Sequence, residues 1–374
     1  MAEKTKIEWT DATWTPVRAR WFEPQRGGGA EERVGWHCEK VSAGCDNCYA
    51  EAMNRRLGTR LPYKPGHLKH TSRLGDPRGD VEVFLDERML VAPLRWKKPR
   101  RIFANSMTDS FGRFVTDEML DRLFAVIALT PQHTYQVLTK RPERMREYMA
   151  RRCARGRWPA LDYAALMAAT GAWDTPALDL RNGWPLPNVW LGTSIEDQAT
   201  ADARIPHLLA TPAAVRFLSA EPLLGRLELD IIWLRRDGQR GTDLSNQLGD
   251  YVRPLRGNFT DSPKIHLVIV GGESGPRARP MHPDWPLAIR DQCVAAGTPF
   301  LFKQWGEWCP GEGHGDAVDG GSFGAFDDAG QWVRPVDQVW ASRGRQIMYR
   351  MGKARAGRQL DGRTWDQMPG VLDA

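Results

Sequence analysis

Six short apolar runs, each ending in polar residues, set the strongest constraint on what this chain can fold into. They occupy 101–105, 133–138, 188–192, 215–218, 265–270 and 299–302. Each is rich in β-branched, aliphatic or aromatic residues and is bounded by polar or turn-forming ones. That is the pattern of strands buried on both faces of a parallel sheet. Helical patterns lie between them. After Thr116, an expected N-cap, the residues Met119, Leu120, Leu123, Phe124, Val126 and Ile127 fall largely on one helical face. Residues 283–296 repeat the logic with Trp285, Leu287, Ile289 and Cys293, and stop at Gly297, a suitable C-cap.

Strand alternating with helix means a parallel sheet. The spacing suits a βα barrel at about thirty residues per unit, provided that 153–186 and 226–262 are insertions. We therefore expect an α/β fold, a partial or full TIM-type barrel of parallel strands over residues 1–309. Inserts are expected near 17–36, 153–186 and 226–262, and a C-terminal extension, 310–374, is expected to cap the barrel. A first strand is placed near 6–10. Residues 17–36, with the glycine triplet at 27–29, read as a flexible insert. The competing architecture is an open doubly wound sheet, which holds its ligand where the strand order switches. At 374 residues and 41% hydrophobic content the chain can bury a core of either kind.

In a βα barrel the C-terminal strand ends form the rim on which active sites are built. Here those ends carry Asp109, Lys140, Glu196, Glu221, Glu273 and Lys303, a charged mouth suited to a ligand. Before them comes the run Cys38-x6-Cys45-x2-Cys48-Tyr49-Ala50. Three clustered thiols supply three ligands. A structural zinc closes with four protein ligands, whereas a centre with one position left open can bind a reactant. A cubane iron–sulfur cluster on three cysteines would leave one iron free in the same sense. The zinc alternative needs His37 as fourth ligand, and adjacent residues pair poorly around one tetrahedron. Cys153, Cys293 and Cys309 are scattered and read as ordinary thiols.

No stretch reaches the apolar length of a membrane span, and the N-terminus lacks a signal-peptide core, so a cytoplasmic protein without membrane contact is expected. The net charge of +6, basic clusters at 95–101, 151–157 and 343–363, and sixteen tryptophans suit stacking on bases and pairing with phosphates. A solvated basic face over a tryptophan-rich core is the plainer reading.

At this point a resemblance enters. The cysteine run on a loop opening a βα barrel resembles the cluster loop of the radical S-adenosylmethionine superfamily, whose commonest form has a shorter first gap, Cys-x3-Cys-x2-Cys. More narrowly, the chain is similar to a phage-associated three-Cys-motif family of radical-SAM-like proteins. The matching pieces are IEWTDATW at 7–14, VSAGCDNCYA at 41–50, NSMTD at 105–109, LTKRP at 138–142, LGTS at 191–194, LSAEP at 218–222 and GGESG at 271–275, with GKARAG at 352–357 and LDGR at 360–363 in the tail.

The resemblance implies a [4Fe–4S] cluster on Cys38, Cys45 and Cys48, with S-adenosylmethionine on the fourth iron. A reducing electron donor then drives cleavage to a 5′-deoxyadenosyl radical. The resemblance leaves the substrate open. Because phage members of such families often accompany base hypermodification, and the basic, tryptophan-rich composition agrees, a nucleotide or DNA base is expected, with rearrangement or cleavage of a modified pyrimidine as the specific expectation. Tyr49, Asn105, Ser106, Thr139, Ser194, Glu196, Gly271, Gly272 and Glu273 are the expected cofactor-binding residues. The superfamily's Gly-Gly-Glu is absent after the second strand and occurs instead at 271–273, where backbone contact with adenine or a simple turn would serve. Glu221, Lys140 and Asp109 are the residues expected to act on substrate. Several have a structural alternative: Tyr49 as a core aromatic, Ser194 and Glu196 as helix caps, Lys140 or Arg141 as salt-bridge partners of Glu196 or Glu221, and Glu221 itself in a structural role. Arg277 and Arg279 suit a phosphate or a surface loop. The competing function is a non-catalytic, zinc-stabilised nucleic-acid-binding protein.

Overall fold

The computed structural model describes residues 5–64, 81–154, 184–234, 242–311, 323–327, 329–333 and 346–370. Most of the expected insert at 153–186, the outer part of the basic cluster at 151–157 and Trp340 lie outside them.

Seven parallel strands make the main sheet: β1 (Ala12–Trp14), β2 (Arg101–Ala104), β3 (Thr134–Thr139), β4 (Val189–Ser194), β5 (Val215–Ala220), β6 (Leu267–Gly271) and β7 (Phe300–Gln304). They stand side by side in chain order. In register, Ala12 sits opposite Ile102, Ile102 opposite Tyr135, and Val268 between Leu218 and Phe300. A sheet with no reversal of strand order has no switch point, so the doubly wound alternative is set aside. The fold is α/β, with the strand order of a partial βα barrel. Every residue of β6 is buried, which is why its sequence is an unbroken apolar run.

The first strand begins six residues later than the sequence suggests. Residues 7–10 turn, with Thr10 N–H donating to the Ile7 carbonyl at 3.3 Å, and the chain meets β2 only from Thr10 onward. There Thr10 Oγ1 and the Asp11 N–H both donate to the Arg101 carbonyl, at 3.0 Å each. Residues 17–36 are a β-hairpin rather than a flexible insert. Val17–Pro24 pairs antiparallel with Ala30–Gly35 on one side and Glu82–Leu85 on the other. The inward alternation of Val17, Ala19 and Trp21 builds the ribbon, and the glycine triplet, with φ of 106°, 98° and 86°, makes its turn.

The chain divides into two compact units, one of Met1–Thr193 with Ala210–Arg216, the other of Ser194–Leu209 with Phe217–Ala374. In the first unit, helix α1 (Tyr49–Leu57) follows the cysteine loop, and α2 (Asp117–Ala128) and α3 (Pro142–Ala154) follow β2 and β3. Thr116 caps α2 as expected, accepting the Met119 N–H at 3.2 Å. Phe124 of α2 stacks on Tyr148 of α3 at 5.9 Å. The second unit holds helix α4 (Gln198–Leu209) and helix α5 (Asp284–Ala296), which ends at Gly297 with φ 68°.

The C-terminal extension is bound into the second unit. Trp308–Pro310, Gln346–Arg350, Phe323–Phe326 and Trp332–Val333 form a four-stranded antiparallel sheet. The last described segment lies along the free edge of β7: Leu301 bridges Asp366, and Phe302 N–H donates to the Trp365 carbonyl at 3.0 Å. An unpaired strand edge invites association, and this segment covers it. The insert at 226–262 contains a small ribbon, Ile232–Trp233 with Tyr251–Val252, and a helix, Asp243–Leu248, opened by a Thr242–Ser245 capping box.

Trp9, Trp14, Trp21, Trp96, Trp305 and Trp308 are buried, so the plainer reading of the tryptophans holds for these; Trp233 is exposed. No helix among the described residues is long and apolar enough to cross a membrane.

Candidate functional site

The cysteine loop is pinned at both ends by one buried side chain. Asn54 Oδ1 accepts the N–H groups of Trp36 at 2.9 Å and Thr59 at 3.1 Å, and its Nδ2 donates to Thr59 Oγ1 and the Leu61 carbonyl. Gly35 and Gly58 permit that closure. A Cβ on Gly35 would come within 2.3 Å of Thr59 N, and one on Gly58 within 2.2 Å of Asn54 Oδ1. Between these points Cys45 closes a single turn of 3-10 helix, Ala43–Cys45, and Cys48 is the N-cap of α1. Lys40 ties the loop to α1 through Glu51 at 3.1 Å.

No disulfide joins Cys38, Cys45 or Cys48. Burial pushes the Cys38 thiol up to about 12, with the Asp109 charge adding to it and the Arg141 charge opposing. Burial raises Cys48 as well, against the pull of the Ala50 and Glu51 N–H groups and of Lys140. Cys38 also feels the charge of Cys45 and of Cys48. Thiols in such surroundings stay protonated until a metal takes the proton's place. Among the described residues no group of three or more His, Cys, Asp or Glu forms a ready cage for a metal ion. A cubane makes a different demand, since each thiolate takes its own iron. Three soft donors, two facing cations and the N-terminus of α1 are a donor set that fits an anionic iron–sulfur group. His37, the expected fourth zinc ligand, packs its ring edge-on against Phe114 at 4.9 Å and Tyr63 at 6.4 Å.

The loop after β2 supports the cysteine loop. Asn105 sits in the left-handed region at φ 54°, which Asn tolerates better than most residues. Its side chain shapes the turn by donating to Ser110 Oγ at 2.9 Å. Three hydroxyls then link the two loops and the chain beyond α1. Tyr49 donates to the Ser106 carbonyl at 2.6 Å, Tyr63 to the Met107 carbonyl at 2.8 Å, and Thr108 to the His37 carbonyl at 2.5 Å. Tyr49 remains half exposed, so it is no core aromatic.

Asp109, at the same strand end, is saturated. Its carboxylate accepts Phe111 N–H at 2.9 Å, Thr139 Oγ1 at 2.7 Å, Lys140 N–H at 3.1 Å and Arg141 Nη1 at 2.9 Å. It thereby clamps the end of β3 to the end of β2. The second guanidinium nitrogen of Arg141 donates to the Glu39 carbonyl at 3.0 Å, one residue beyond Cys38. Arg141 therefore pairs with Asp109 and Glu39, because adjacent parallel strand ends bring Asp109 and Arg141 together. Arg144 fastens the same loop through the carbonyls of Phe111, Gly112 and Val115.

In the second unit every expected acidic residue has a cation. Buried Glu196 accepts from Arg204 at 2.9 Å, and the same guanidinium holds the Ser194 carbonyl at 2.8 Å. Glu273 receives the N–H, Nε and Nη2 of Arg279 at 2.8, 2.9 and 2.6 Å, so Arg279 is engaged by its own loop. Glu221 pairs with Lys303 at 2.8 Å and accepts Ser219 Oγ at 3.1 Å. That pair spans two strands because Gly271 lies between. A Cβ on Gly271 would sit 2.8 Å from Glu221 Oε1. Gly272 is required for the same kind of reason, since its Cβ would fall 1.9 Å from the Trp305 carbonyl oxygen. The Gly-Gly-Glu run is thus a close-packed turn.

The first unit gathers Cys38, Cys45, Cys48, Tyr49, Asn105, Ser106, Asp109, Thr139 and Lys140; the second holds Ser194, Glu196, Glu221, Gly271, Gly272 and Glu273. Sequence reading missed Glu39, Asn54, Tyr63 and Thr108. A family model described as "Protein of unknown function (DUF5131)" matches residues 32–369. No curated protein and no solved structure matches the chain.

Proposed function

We propose that this chain, which belongs to the DUF5131 family, is a radical S-adenosylmethionine enzyme whose three-cysteine loop holds a [4Fe–4S] cluster. One observation carries the reading: three thiols, joined by no disulfide, lie on a loop pinned at both ends, beside parallel strand ends that present Lys140 and Arg141. When bound, the cluster supplies the electron that cleaves S-adenosylmethionine, with Cys38, Cys45 and Cys48 as its ligands.

The remaining chemistry belongs to the chain. Lys140 and Arg141 offset thiolate charge, and the first N–H groups of α1 do the same for Cys48. Tyr49 is held upright by Ser106 beside the last ligand. Asp109, with its four donors, acts as a clamp, and Lys140 is proposed to act on an anionic ligand at the same strand end. Glu221, partly exposed beside Lys303, is proposed to act on substrate as acid, base or anchor. Ser194, Glu196, Gly271, Gly272 and Glu273 shape their strand ends. The substrate class proposed is a nucleotide or DNA pyrimidine, which the net charge of +6 supports. A reducing electron donor and a cytoplasmic, reducing compartment follow from the cluster.

Anaerobic reconstitution is the test. A brown protein with matched iron and sulfide that cleaves S-adenosylmethionine under dithionite is expected, and Cys45→Ala should abolish both loading and cleavage. A colourless protein that takes up zinc and keeps its fold would overturn the reading in favour of the zinc-stabilised alternative.

A further inference from the structure

We infer that Arg141 is a positioning residue of the cysteine centre, strapping the Cys38 arm of the loop to the Asp109 clamp. Three features carry this. The guanidinium is forked: Nη1 meets Asp109 Oδ2 at 2.9 Å and Nη2 meets the Glu39 carbonyl at 3.0 Å, with Glu39 Oε2 at 3.7 Å. Its backbone is fixed too, because its N–H donates to Thr139 Oγ1 at 2.9 Å while that hydroxyl donates to Asp109. Finally, Cys38 is tied through its chain neighbours, Thr108 holding the His37 carbonyl at 2.5 Å and Arg141 the Glu39 carbonyl at 3.0 Å. Cys48 is set by the start of α1 and Cys45 by a hydrogen-bonded turn, whereas among the described residues the Cys38 thiol donates to the carbonyl of the next residue, at 3.8 Å.

A planar guanidinium makes two directed bonds at a fixed angle, which an ammonium cannot reproduce. The strap therefore needs arginine, while the charge it brings near Cys38 needs only a cation. The two roles separate by substitution. Arg141→Lys keeps the charge and loses the fork. Arg141→Gln loses the charge.

The first arm of the experiment uses metal-free protein and site-resolved alkylation of each cysteine by mass spectrometry. Arg141→Lys is expected to speed modification of Cys38 several-fold while buried Cys293 stays protected. An unchanged Cys38 rate overturns the inference. So does a rise at Cys293 in parallel, because the side chain would then hold the whole fold and not one arm of a loop.

The second arm rests on the cluster reading. In reconstituted protein, loss of the positive charge in Arg141→Gln should move the cluster's midpoint potential downward, and Arg141→Lys should restore it. A potential identical in all three proteins removes the electrostatic part. Failure of the wild-type protein to load iron and sulfide would sink the cluster reading, while the alkylation arm still decides the strap.

Discussion

In the first unit one strand-end carboxylate, Asp109, collects four donors from two neighbouring strand ends, whereas in the second unit Glu196, Glu221 and Glu273 each meet a cation of their own. Both arrangements fill a strand end with charge, yet they leave different things over. Around Asp109 the ion pair serves as an anchor for something else, the arm that carries Cys38. In the second unit Glu196 with Arg204 and Glu273 with Arg279 join near neighbours in the chain and hold local turns. A charged rim is therefore no measure of a working site; what matters is whether the paired groups are tied to groups with chemistry still unspent.

The comparison breaks most visibly on stability. Replacing Glu196 by Ala leaves Arg204 buried without its carboxylate, and breaking such a pair from one side costs about 3–5 kcal/mol. Cys48→Ser in metal-free protein should cost under about 1 kcal/mol, since it empties no core and strands no charge. Urea unfolding of both variants is the measurement. Equal losses would mean that the cysteine loop is as structural as the buried ion pair.

A second probe uses the glycines. Gly272→Ala must displace the Trp305 backbone, and overpacking of this kind costs about 1–3 kcal/mol. Gly35→Ala collides with Thr59 in the same way, but it also opens the clasp under the cysteine loop. Both should lower the melting temperature, and only Gly35→Ala should reduce iron and sulfide loading. Equal loading in the two variants would erase the distinction drawn between the units.

The smallest expected effect is on pH dependence. Burial holds both His133 and His282 below the ordinary imidazole value; hydrogen bonds to the Pro93 and Trp96 backbone oppose this at His133 while the Arg100 charge deepens it, and Asp284 opposes it at His282. A group favoured neutral in the folded state lends stability that is fully present above about pH 6.5 and lost as pH falls through that value toward the lowered one. Acid should therefore weaken both units, the first through His133 and the second through His282. Chemical-shift titration of the two imidazoles checks this, and a folded-state pKa at or above about 6.5 on either ring would refute it for that unit.

Much of the fold was legible because strands buried on both faces have to be apolar throughout. The runs near 101, 134, 189, 215, 267 and 300 became β2 to β7 within about two residues. The three-residue β1 was misplaced because so short a strand has no pattern of its own. The hairpin at 17–35 was hidden by its glycine triplet, which is a linker signal and a turn signal alike. The candidate site was legible as chemistry and opaque as wiring. Glu273 with Arg279 and Glu196 with Arg204 are near neighbours in the chain, but Asp109 meets Arg141 across 32 positions and Thr108 meets His37 across 71. No local pattern announces such pairs.

Sequence alone determined the soft donors and their spacing, along with the strand–helix rhythm. Both follow from side-chain chemistry and from the different periods at which strands and helices bury apolar residues. Only the tertiary structure decided which charges face which sulfurs. Parallel strands set their C-terminal ends side by side whatever their separation along the chain, and a guanidinium reaches across that short gap to a loop more than a hundred residues behind it.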